Sequence, residues 1–361
     1  MGKRNWASWA LAPLHLAALA TGAKSFRDNP IIGSPTLNRM GLHVARIRLA
    51  HAMADRRRRR LRRLVSDEDA AAFDRDGFVI KRDFLPAEVF QQLQDQVLAF
   101  RGPARDMLQG DAVTRRIPLD AATLSQTPAA RALLNDPRWL GLIRYVASSR
   151  LTPVSYIQTI FSRVRDAEPD PQTHLHADTF HPTVKAWLFL GDVTEEDGPF
   201  VYVPGSHRMS ARRLDWARAR SIEARDSDFL SSRGSFRITL AELTEIGLPP
   251  PRSCAVPANT LVVADTGGFH ARGRSAGSGA RTEIWAYGRR NPFLAWTGWS
   301  VLGWPWVRER FAPMVWGITD ARERMGFKPN PWRAAGMVGL RGRPNVPDSD
   351  IPVILRSKRP L

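Results

Sequence analysis

Three side chains in the middle and second half of the chain could hold a metal ion. His176 and Asp178 stand two positions apart in the run His174-Leu-His-Ala-Asp178. Residues two apart on an extended strand project to the same face, so this imidazole and this carboxylate could bind one ion. His270 follows 94 residues after His176, behind an apolar run and a Thr-Gly-Gly turn. Two imidazoles and one carboxylate form the facial triad of non-haem Fe(II) oxygenases, which leaves coordination positions open.

A cationic side chain follows the second histidine at a short distance. Arg281 comes 11 residues after His270 and opens the strand-like run Arg281-Thr-Glu-Ile-Trp-Ala-Tyr287. A guanidinium binds a carboxylate through two parallel hydrogen bonds, a task for which lysine is a poorer substitute. We therefore expect Arg281 to bind the distal carboxylate of 2-oxoglutarate.

A fourth motif lies between these elements, in the segment Asp197-Gly-Pro-Phe-Val-Tyr-Val-Pro-Gly-Ser-His207. With a strand centred on Phe78, the His-x-Asp pair, the distal histidine and the arginine, it makes the chain from about Ser66 to Arg290 resemble the phytanoyl-CoA dioxygenase family of Fe(II)/2-oxoglutarate oxygenases. The resemblance implies an α+β fold with a double-stranded β-helix (jelly roll) core and a helical buttress. It also implies Fe(II) bound by the triad, with 2-oxoglutarate and O2 as cosubstrates.

The family resemblance further implies a reaction. Oxidative decarboxylation of 2-oxoglutarate to succinate would drive hydroxylation of an unactivated C–H bond. Halogenating relatives replace the ligand carboxylate by a small residue, so Asp178 favours hydroxylation. His174 is expected to be a neighbour of the site because position 176 is not an acid, and His207 is expected to be structural.

The sequence departs from the family pattern at one position of the expected cosubstrate site. Arg272 stands two residues after the distal histidine, where the family commonly has a serine that helps to hold 2-oxoglutarate. Three other polar side chains are candidates for the missing contact: Gln158, Thr159 and Lys185.

The order of predicted elements agrees with this fold. Helical patterns occupy 66–77, 86–100, 128–134 and 137–147, with Ser66 as an N-cap and Gly77 as the end of the first helix. Short runs rich in Val, Ile, Thr and aromatic residues follow at 154–161, 186–190, 200–203, 253–256, 260–264 and 281–287. Many short strands with helices placed before them favour a double-sheet jelly roll with a helical layer.

The charge of the chain is concentrated at its N-terminus. Residues 1–64 carry a net +12 of the formal +18. We therefore expect three regions: a basic, partly apolar arm (1–64), a dioxygenase domain (65–290) and a Trp-rich, then Pro/Arg-rich extension (291–361). The only cysteine, Cys254, cannot form an internal disulfide, so a cytoplasmic location is expected.

Two features of the arm suggest a partner. The apolar stretch from Trp6 to Ala20 is too short and too interrupted to span a membrane. Three interpretations of the stretch are left open: a secretory signal, a packed helix and an in-plane membrane helix.

The run Arg56–Arg63 holds seven arginines in eight residues. A solvated helix face is one interpretation of the run, and nucleic acid is disfavoured because no binding motif accompanies it. An apolar helix beside a basic cluster predicts peripheral association with an anionic membrane surface.

Four tryptophans within eleven residues mark the C-terminal extension: Trp296, Trp299, Trp304 and Trp306. They are either core anchors or an interfacial, lipid-binding surface. The tail from 330 to 361 is expected to be extended or loosely ordered.

The predicted activity is that of a hydroxylase acting on a lipidic or acyl substrate. The alternatives are a small secondary metabolite as substrate, or a non-catalytic jelly-roll scaffold, which has no chemical need for all four site residues.

Overall fold

The computed structural model describes residues 12–299, 301–327 and 329–340, and the single residues 342, 344 and 346. Trp6 and Trp9 of the apolar stretch lie outside the described residues, as does most of the tail after 340. Within the described part of the chain, no helix is both long enough and apolar enough to cross a membrane.

Eleven strands in the described residues form two antiparallel sheets. The larger sheet has eight strands in the order β1-β8-β5-β10-β4-β3-β2-β11, and the smaller has the order β7-β6-β9. The strands are β1 Phe78–Lys81, β2 Arg101–Gln109, β3 Ala112–Pro118, β4 Val154–Ser162, β5 Val184–Phe189, β6 Phe200–Tyr202, β7 Arg252–Cys254, β8 Leu261–Asp265, β9 His270–Arg272, β10 Gly279–Gly288 and β11 Arg333–Gly339.

Most of the described helices precede the strands that form the core. They are α1 Ala12–Ala17, α2 Pro35–Arg39, α3 Leu42–Leu61, α4 Asp67–Asp76, α5 Ala87–Ala99, α6 Ala121–Gln126, α7 Pro128–Asn135, α8 Pro137–Val146, α9 Ala211–Glu223, α10 Leu240–Glu245 and α11 Pro305–Arg324. The predicted start of α4 is confirmed, because the Ser66 side chain accepts a hydrogen bond from the Asp69 amide. Its predicted end is confirmed as well, since Gly77 adopts the left-handed conformation with φ +87°.

The central strands bury both faces because side chains alternate across a strand. On β5, Ala186 and Leu188 join a core formed with helices α5 and α8, while Trp187 belongs to a second core between the sheets. There the Trp187 ring lies 4.5 Å from the ring of Phe200 on the smaller sheet. The fold is the double-stranded β-helix with a helical layer that the sequence predicted.

Sequence patterns did not predict three strands of the large sheet. Strands β2 and β3 contain glycine, proline and several arginines, residues that do not show a strand pattern by themselves. Their strand structure comes from pairing, because β3 pairs with β4 and β2 pairs with β3. Within the tail that was expected to be extended or loosely ordered, β11 pairs with the outer edge of β2. Part of the C-terminal extension is therefore a sheet strand.

The arginine run is part of a helix packed on the catalytic domain. Helix α3 extends to Leu61 and so includes most of the arginine run. Arg57 is only 1% exposed. Its Nε donates to the Ser148 carbonyl over 2.8 Å, and its Nη1 donates to the carbonyls of Pro292 and Leu294 over 3.0 and 2.6 Å. This arginine therefore joins the N-terminal segment to the C-terminal extension.

Replacement of Arg57 by methionine is expected to destabilise the protein by about 2–4 kcal/mol, because it leaves several buried carbonyl groups without a donor. Arg56→Met is the matched control, since Arg56 is exposed one residue earlier and should change stability by less than about 0.5 kcal/mol. Urea unfolding followed by circular dichroism measures both. Equal midpoints for the two variants would contradict a structural role for Arg57.

Candidate metal centre and cosubstrate site

The backbone brings the two ligand segments together outside any regular strand pairing. His176 forms isolated bridges with His270 and Arg237, so the expectation that the His-x-Asp pair lies on a regular strand is corrected. The amide of His176 donates to the His270 carbonyl, and the amide of His270 donates to the His176 carbonyl, both over 2.9 Å. The Asp178 amide donates to the Thr266 carbonyl over 2.9 Å. These bonds align the three side chains without a continuous strand.

The side chains of His176, Asp178 and His270 converge on one point. Each offers a ligand atom, and the three atoms lie within 4.8 Å of one another. The Nε2 atoms of His176 and His270 lie 3.6 and 3.8 Å from Asp178 Oδ1. These distances bring the three atoms close to the arrangement around a common ion, in which metal–ligand bonds of about 2 Å place neighbouring ligands roughly 3 Å apart.

Hydrogen bonds at the far side of each ring orient the two histidines. His176 Nδ1 lies 2.8 Å from the His174 carbonyl and His270 Nδ1 lies 3.0 Å from the Gly268 carbonyl. Each Nδ1 therefore carries the proton, which leaves the Nε2 lone pair for a metal. Both Nε2 atoms are buried and have no hydrogen-bond partner among the described residues. Burial also lowers the pKa of His270 to about 3, so this ring is neutral. These two buried nitrogens, each with an unused lone pair, fit a divalent metal.

Gly268, in the turn before the distal histidine, has no room for a side chain. A Cβ built on Gly268 would lie 1.9 Å from the hydroxyl oxygen of Tyr202. That hydroxyl donates to the Asp265 carbonyl over 2.8 Å at the start of the turn. Glycine is thus required at position 268 for the close approach that positions its carbonyl at Nδ1 of His270.

Two lysines contact Asp178, one at its carboxylate and one at its main-chain carbonyl. Lys185 Nζ lies 2.7 Å from Asp178 Oδ2. Burial alone would raise the pKa of Asp178, but the Lys185 ammonium, His270 and His176 together outweigh burial, and the pKa lies well below its usual range. Lys24 donates to the Asp178 carbonyl, and burial lowers the pKa of Lys24 to about 8. The expected N-terminal arm therefore reaches the ligand segment.

A cavity of about 400 Å³ opens beside the triad. The predicted cosubstrate residue Arg281 lines it together with the three ligands. Arg281 Nε donates to Glu283 Oε2 over 3.1 Å, and its Nη1 donates to the Gly198 carbonyl. Burial lowers the pKa of Arg281, and Glu283 partly offsets that effect. A guanidinium anchored on one side in this way presents its remaining N–H groups to a ligand.

A chain of hydrogen bonds connects Arg281 to a second arginine of the same cavity. Glu283 is fully buried, and its Oε1 accepts from Gln158 Nε2 over 2.7 Å. Gln158 Oε1 in turn accepts from Arg116 Nε over 2.8 Å. All four residues lie on the inward face of three neighbouring strands, β10, β4 and β3. Neither Arg116 nor Glu283 was identified from the sequence.

The three substitutes predicted for the missing serine contact have different positions. Gln158 and Lys185 line the cavity, but each already has a protein partner. Thr159 does not line it: its hydroxyl lies 3.0 Å from that of Thr282, on the other face of the sheet. The prediction for Thr159 is corrected, because neighbouring residues on a strand point to opposite faces.

The structure also shows where the other residues singled out from the sequence lie. Arg272 lines the cavity and pairs with the buried carboxylate of Asp170. His207 is buried, 5.1 Å from the Phe73 ring and away from the triad, as expected of a structural residue. The His174 side chain is exposed, and only its carbonyl serves the site.

A sequence signal existed for one of the missed residues. Arg281, Glu283, Trp285 and Tyr287 alternate along β10, so the inward position of Arg281 predicts an inward Glu283. No such signal existed for Arg116 or Trp332, because both depend on strands or extensions whose positions only the tertiary structure defines.

Several solved structures are similar to this chain. The non-haem α-ketoglutarate-dependent epimerase SnoN from nogalamycin biosynthesis is 21% identical, covers 61% of this chain and 81% of its own, and has a TM-score of 0.43. HygX from Streptomyces hygroscopicus, solved with nickel, 2-oxoglutarate and hygromycin B, is 19% identical with coverages of 62% and 87% and a TM-score of 0.41. EctD from S. alaskensis with bound iron is 17% identical with coverages of 62% and 76% and a TM-score of 0.36. No curated protein matches the chain significantly.

A double-stranded β-helix with a His-Asp-His triad beside a buried arginine defines an Fe(II)- and 2-oxoglutarate-dependent enzyme. Residues 73–232 match the model of the phytanoyl-CoA dioxygenase family, and this segment of the chain is similar to that family. The triad and the cavity beside it fit Fe(II) as the cofactor and 2-oxoglutarate as the cosubstrate. His270 and Arg281 lie beyond the matched segment.

Proposed function

We propose that the protein hydroxylates an unactivated C–H bond of an organic molecule and converts 2-oxoglutarate to succinate. His176, Asp178 and His270 would bind Fe(II), and Arg281 would bind the distal carboxylate of 2-oxoglutarate. The observation that carries the proposal is the complete donor set facing one cavity: two orphaned imidazole nitrogens, a carboxylate and an anchored guanidinium. Iron and 2-oxoglutarate together would supply the oxidant for the C–H bond.

The chain's own residues would orient and shield this chemistry. The carbonyls of His174 and Gly268 keep both imidazoles in the coordinating tautomer. Lys185 keeps Asp178 ionised and facing the metal position. The buried aromatic rings of Trp187 and Trp285 line the cavity and limit the access of water to the reacting C–H bond.

Incubation with Fe(II), 2-oxoglutarate and candidate organic substrates under 18O2 tests the proposal. We expect substrate-dependent succinate and a product that gains one labelled oxygen atom. If the substrate were converted without gaining an oxygen atom, hydroxylation would be the wrong assignment and the site would catalyse a different oxidation. A wild-type protein that forms neither succinate nor a complex with Fe(II) and 2-oxoglutarate would support the alternative of a non-catalytic scaffold.

We also propose that the protein binds an anionic membrane surface, as the sequence suggested, and that the substrate is lipidic. One hydrogen bond links the arginine run to the segment in which the tryptophan cluster begins. Arg60 Nη1 donates to the Ala295 carbonyl over 3.4 Å, one residue before Trp296. The four tryptophans are not core anchors: Trp296, Trp299, Trp304 and Trp306 are 52–67% exposed. We call these tryptophans, with exposed Arg56, Arg59, Arg60 and Arg63, the Trp–Arg surface.

The Trp–Arg surface combines two weak contributions to membrane binding. Tryptophan rings favour the interfacial region of a bilayer, and basic residues near an anionic surface contribute about 1 kcal/mol each. Among the described residues, two carboxylates pair with the arginine run, Asp55 with Arg58 and Asp67 with Arg62, and neither of these two arginines belongs to the Trp–Arg surface. A compact organic substrate is the alternative to a lipid, because a cavity of about 400 Å³ suits a ligand of modest size.

Sedimentation with phosphatidylcholine vesicles, with and without phosphatidylserine, tests membrane binding. We expect binding only to the anionic vesicles, and the double variant Arg59→Gln, Arg60→Gln should weaken it by roughly 30-fold, which corresponds to about 2 kcal/mol. Trp299→Ala with Trp304→Ala should also weaken it. The control removes two exposed arginines outside the surface, Arg82→Gln with Arg101→Gln. An equal loss in the control, or no binding by the wild type, would contradict a specific surface.

A further inference from the structure

Arg116 occupies the wall of the cavity without a role in the chemistry described above. It lies on β3 and lines the cavity together with the triad. Its Nε donates a hydrogen bond to Gln158 Oε1 over 2.8 Å. Its two terminal nitrogens make no hydrogen bond to any residue that the structure describes. Arg116 is half-buried, so its terminal N–H groups are free to bind a ligand that enters the cavity.

Aromatic rings hold this guanidinium in one plane. Its central carbon lies 3.8 Å from the centroid of the Trp285 ring and 4.5 Å from that of Trp332. The Tyr156 ring lies further away, at 5.4 Å. Stacking on ring faces leaves the edge of a guanidinium free to form two parallel hydrogen bonds. The site is therefore preorganised for a planar or tetrahedral oxyanion.

The cavity carries an excess of positive charge, which suits an oxyanion. Five cationic side chains line it, Arg116, Lys185, Arg272, Arg281 and Arg289, against the single lining carboxylate of Asp178. The buried carboxylates of Glu283 and Asp170 pair with two of these arginines and still leave an excess of positive charge. Bound Fe(II) and 2-oxoglutarate carry equal and opposite charges, so the excess remains for the organic substrate.

We propose that Arg116 binds an anionic oxyacid group of the substrate, a carboxylate or a phosphate. The inference rests on the proposed function and narrows its substrate class. Gln158 and Glu283 lie between Arg116 and Arg281, so the two guanidiniums are placed for two separate anions. Because Trp332 belongs to the C-terminal extension, that extension completes the substrate site.

Calorimetry on the full chain, loaded with Fe(II) and saturated with 2-oxoglutarate without oxygen, tests this subsite. The probes are 3-phenylpropionate, phenethyl phosphate and the neutral 3-phenylpropionamide. We expect the wild type to bind at least one anion about tenfold or more tightly than the amide, as a charge-assisted hydrogen bond predicts. Arg116→Gln should remove that preference, and the stronger of the two anions identifies the group recognised.

Matched variants separate a specific subsite from the general field of the cavity. Arg289→Gln removes an equal charge from an exposed lining residue and should change the preference by less than about threefold. Arg116→Lys should restore part of the preference, and Trp332→Ala should weaken it without removing a charge. Circular dichroism confirms that each variant is folded.

Two results would overturn the proposal. One is a wild type that does not prefer the anions to the amide. The other is an Arg116→Gln variant that keeps the preference but binds 2-oxoglutarate about tenfold more weakly, which would assign Arg116 to the cosubstrate. Binding of 2-oxoglutarate to the iron is followed separately by the visible absorbance of the chelate. Failure of the proposed function is therefore observed independently of the anion preference.

Discussion

Replacement of His176 by alanine is expected to abolish the Fe(II)–2-oxoglutarate complex and with it the formation of succinate. The His176 ring supplies one of the two orphaned, buried imidazole nitrogens that face Asp178. Loss of an outer hydrogen-bond partner of a metal ligand typically costs about 10–100-fold in affinity or activity, and loss of the ligand itself should exceed that range. Anaerobic titration with Fe(II) and 2-oxoglutarate, followed by the weak visible band of the chelate, measures the effect.

His174→Ala is the matched control for this experiment. His174 lies two residues earlier, its side chain is exposed, and it serves the site only through its main-chain carbonyl, which alanine retains. We expect this variant to form the band and to release succinate at close to the wild-type rate. If His174→Ala lost the band and His176→Ala kept it, the ligand assignment would be wrong.

The second large effect is expected at the cosubstrate arginine. Arg281→Gln should weaken 2-oxoglutarate binding by about 10–100-fold, because a charge-assisted, two-point contact with a carboxylate contributes roughly 1.5–3 kcal/mol. Iron binding in the absence of 2-oxoglutarate should change little, since Arg281 does not belong to the triad. The concentration of 2-oxoglutarate that gives half of the chelate band measures the effect.

Two further variants define what Arg281 contributes. Arg281→Lys keeps the charge but loses the planar fork, so its affinity for 2-oxoglutarate should lie between those of the wild type and Arg281→Gln. Arg272→Gln tests the neighbouring arginine, which lines the same cavity but pairs with Asp170. A normal affinity in Arg281→Gln together with a large loss in Arg272→Gln would place the distal carboxylate at Arg272 instead.

Both terminal segments contribute to the catalytic domain. Lys24 reaches the Asp178 carbonyl, and Arg57 ties the N-terminal helix to carbonyls around residues 148 and 292–294. At the other end of the chain, β11 extends the large sheet and Trp332 stacks on Arg116. A chain truncated to residues 65–290 would lack these contacts.

Local patterns in the sequence were sufficient for the centre of the protein. The His-x-Asp pair, the Thr-Gly-Gly turn before His270 and the strand that begins near Arg281 are short-range signals, and they predicted the three candidate metal ligands, which the fold brings together, and the fold itself. They succeed because ligand chemistry depends on residue type, and because strand alternation and turn geometry are decided within a few residues.

Contacts between distant segments decided the rest. Arg116 faces Gln158 and Trp332 only because β3 pairs with β4 and the tail returns to the sheet, across separations of 42 and 216 residues. Thr159 was a reasonable candidate by residue type, but its side chain points away from the cavity because neighbouring residues on a strand face opposite sides of the sheet. The arginine run looked like a uniform charged face, whereas packing buried Arg57 and left its neighbours exposed. Side-chain surroundings of this kind depend on which strands and helices meet, and tertiary packing alone determines that.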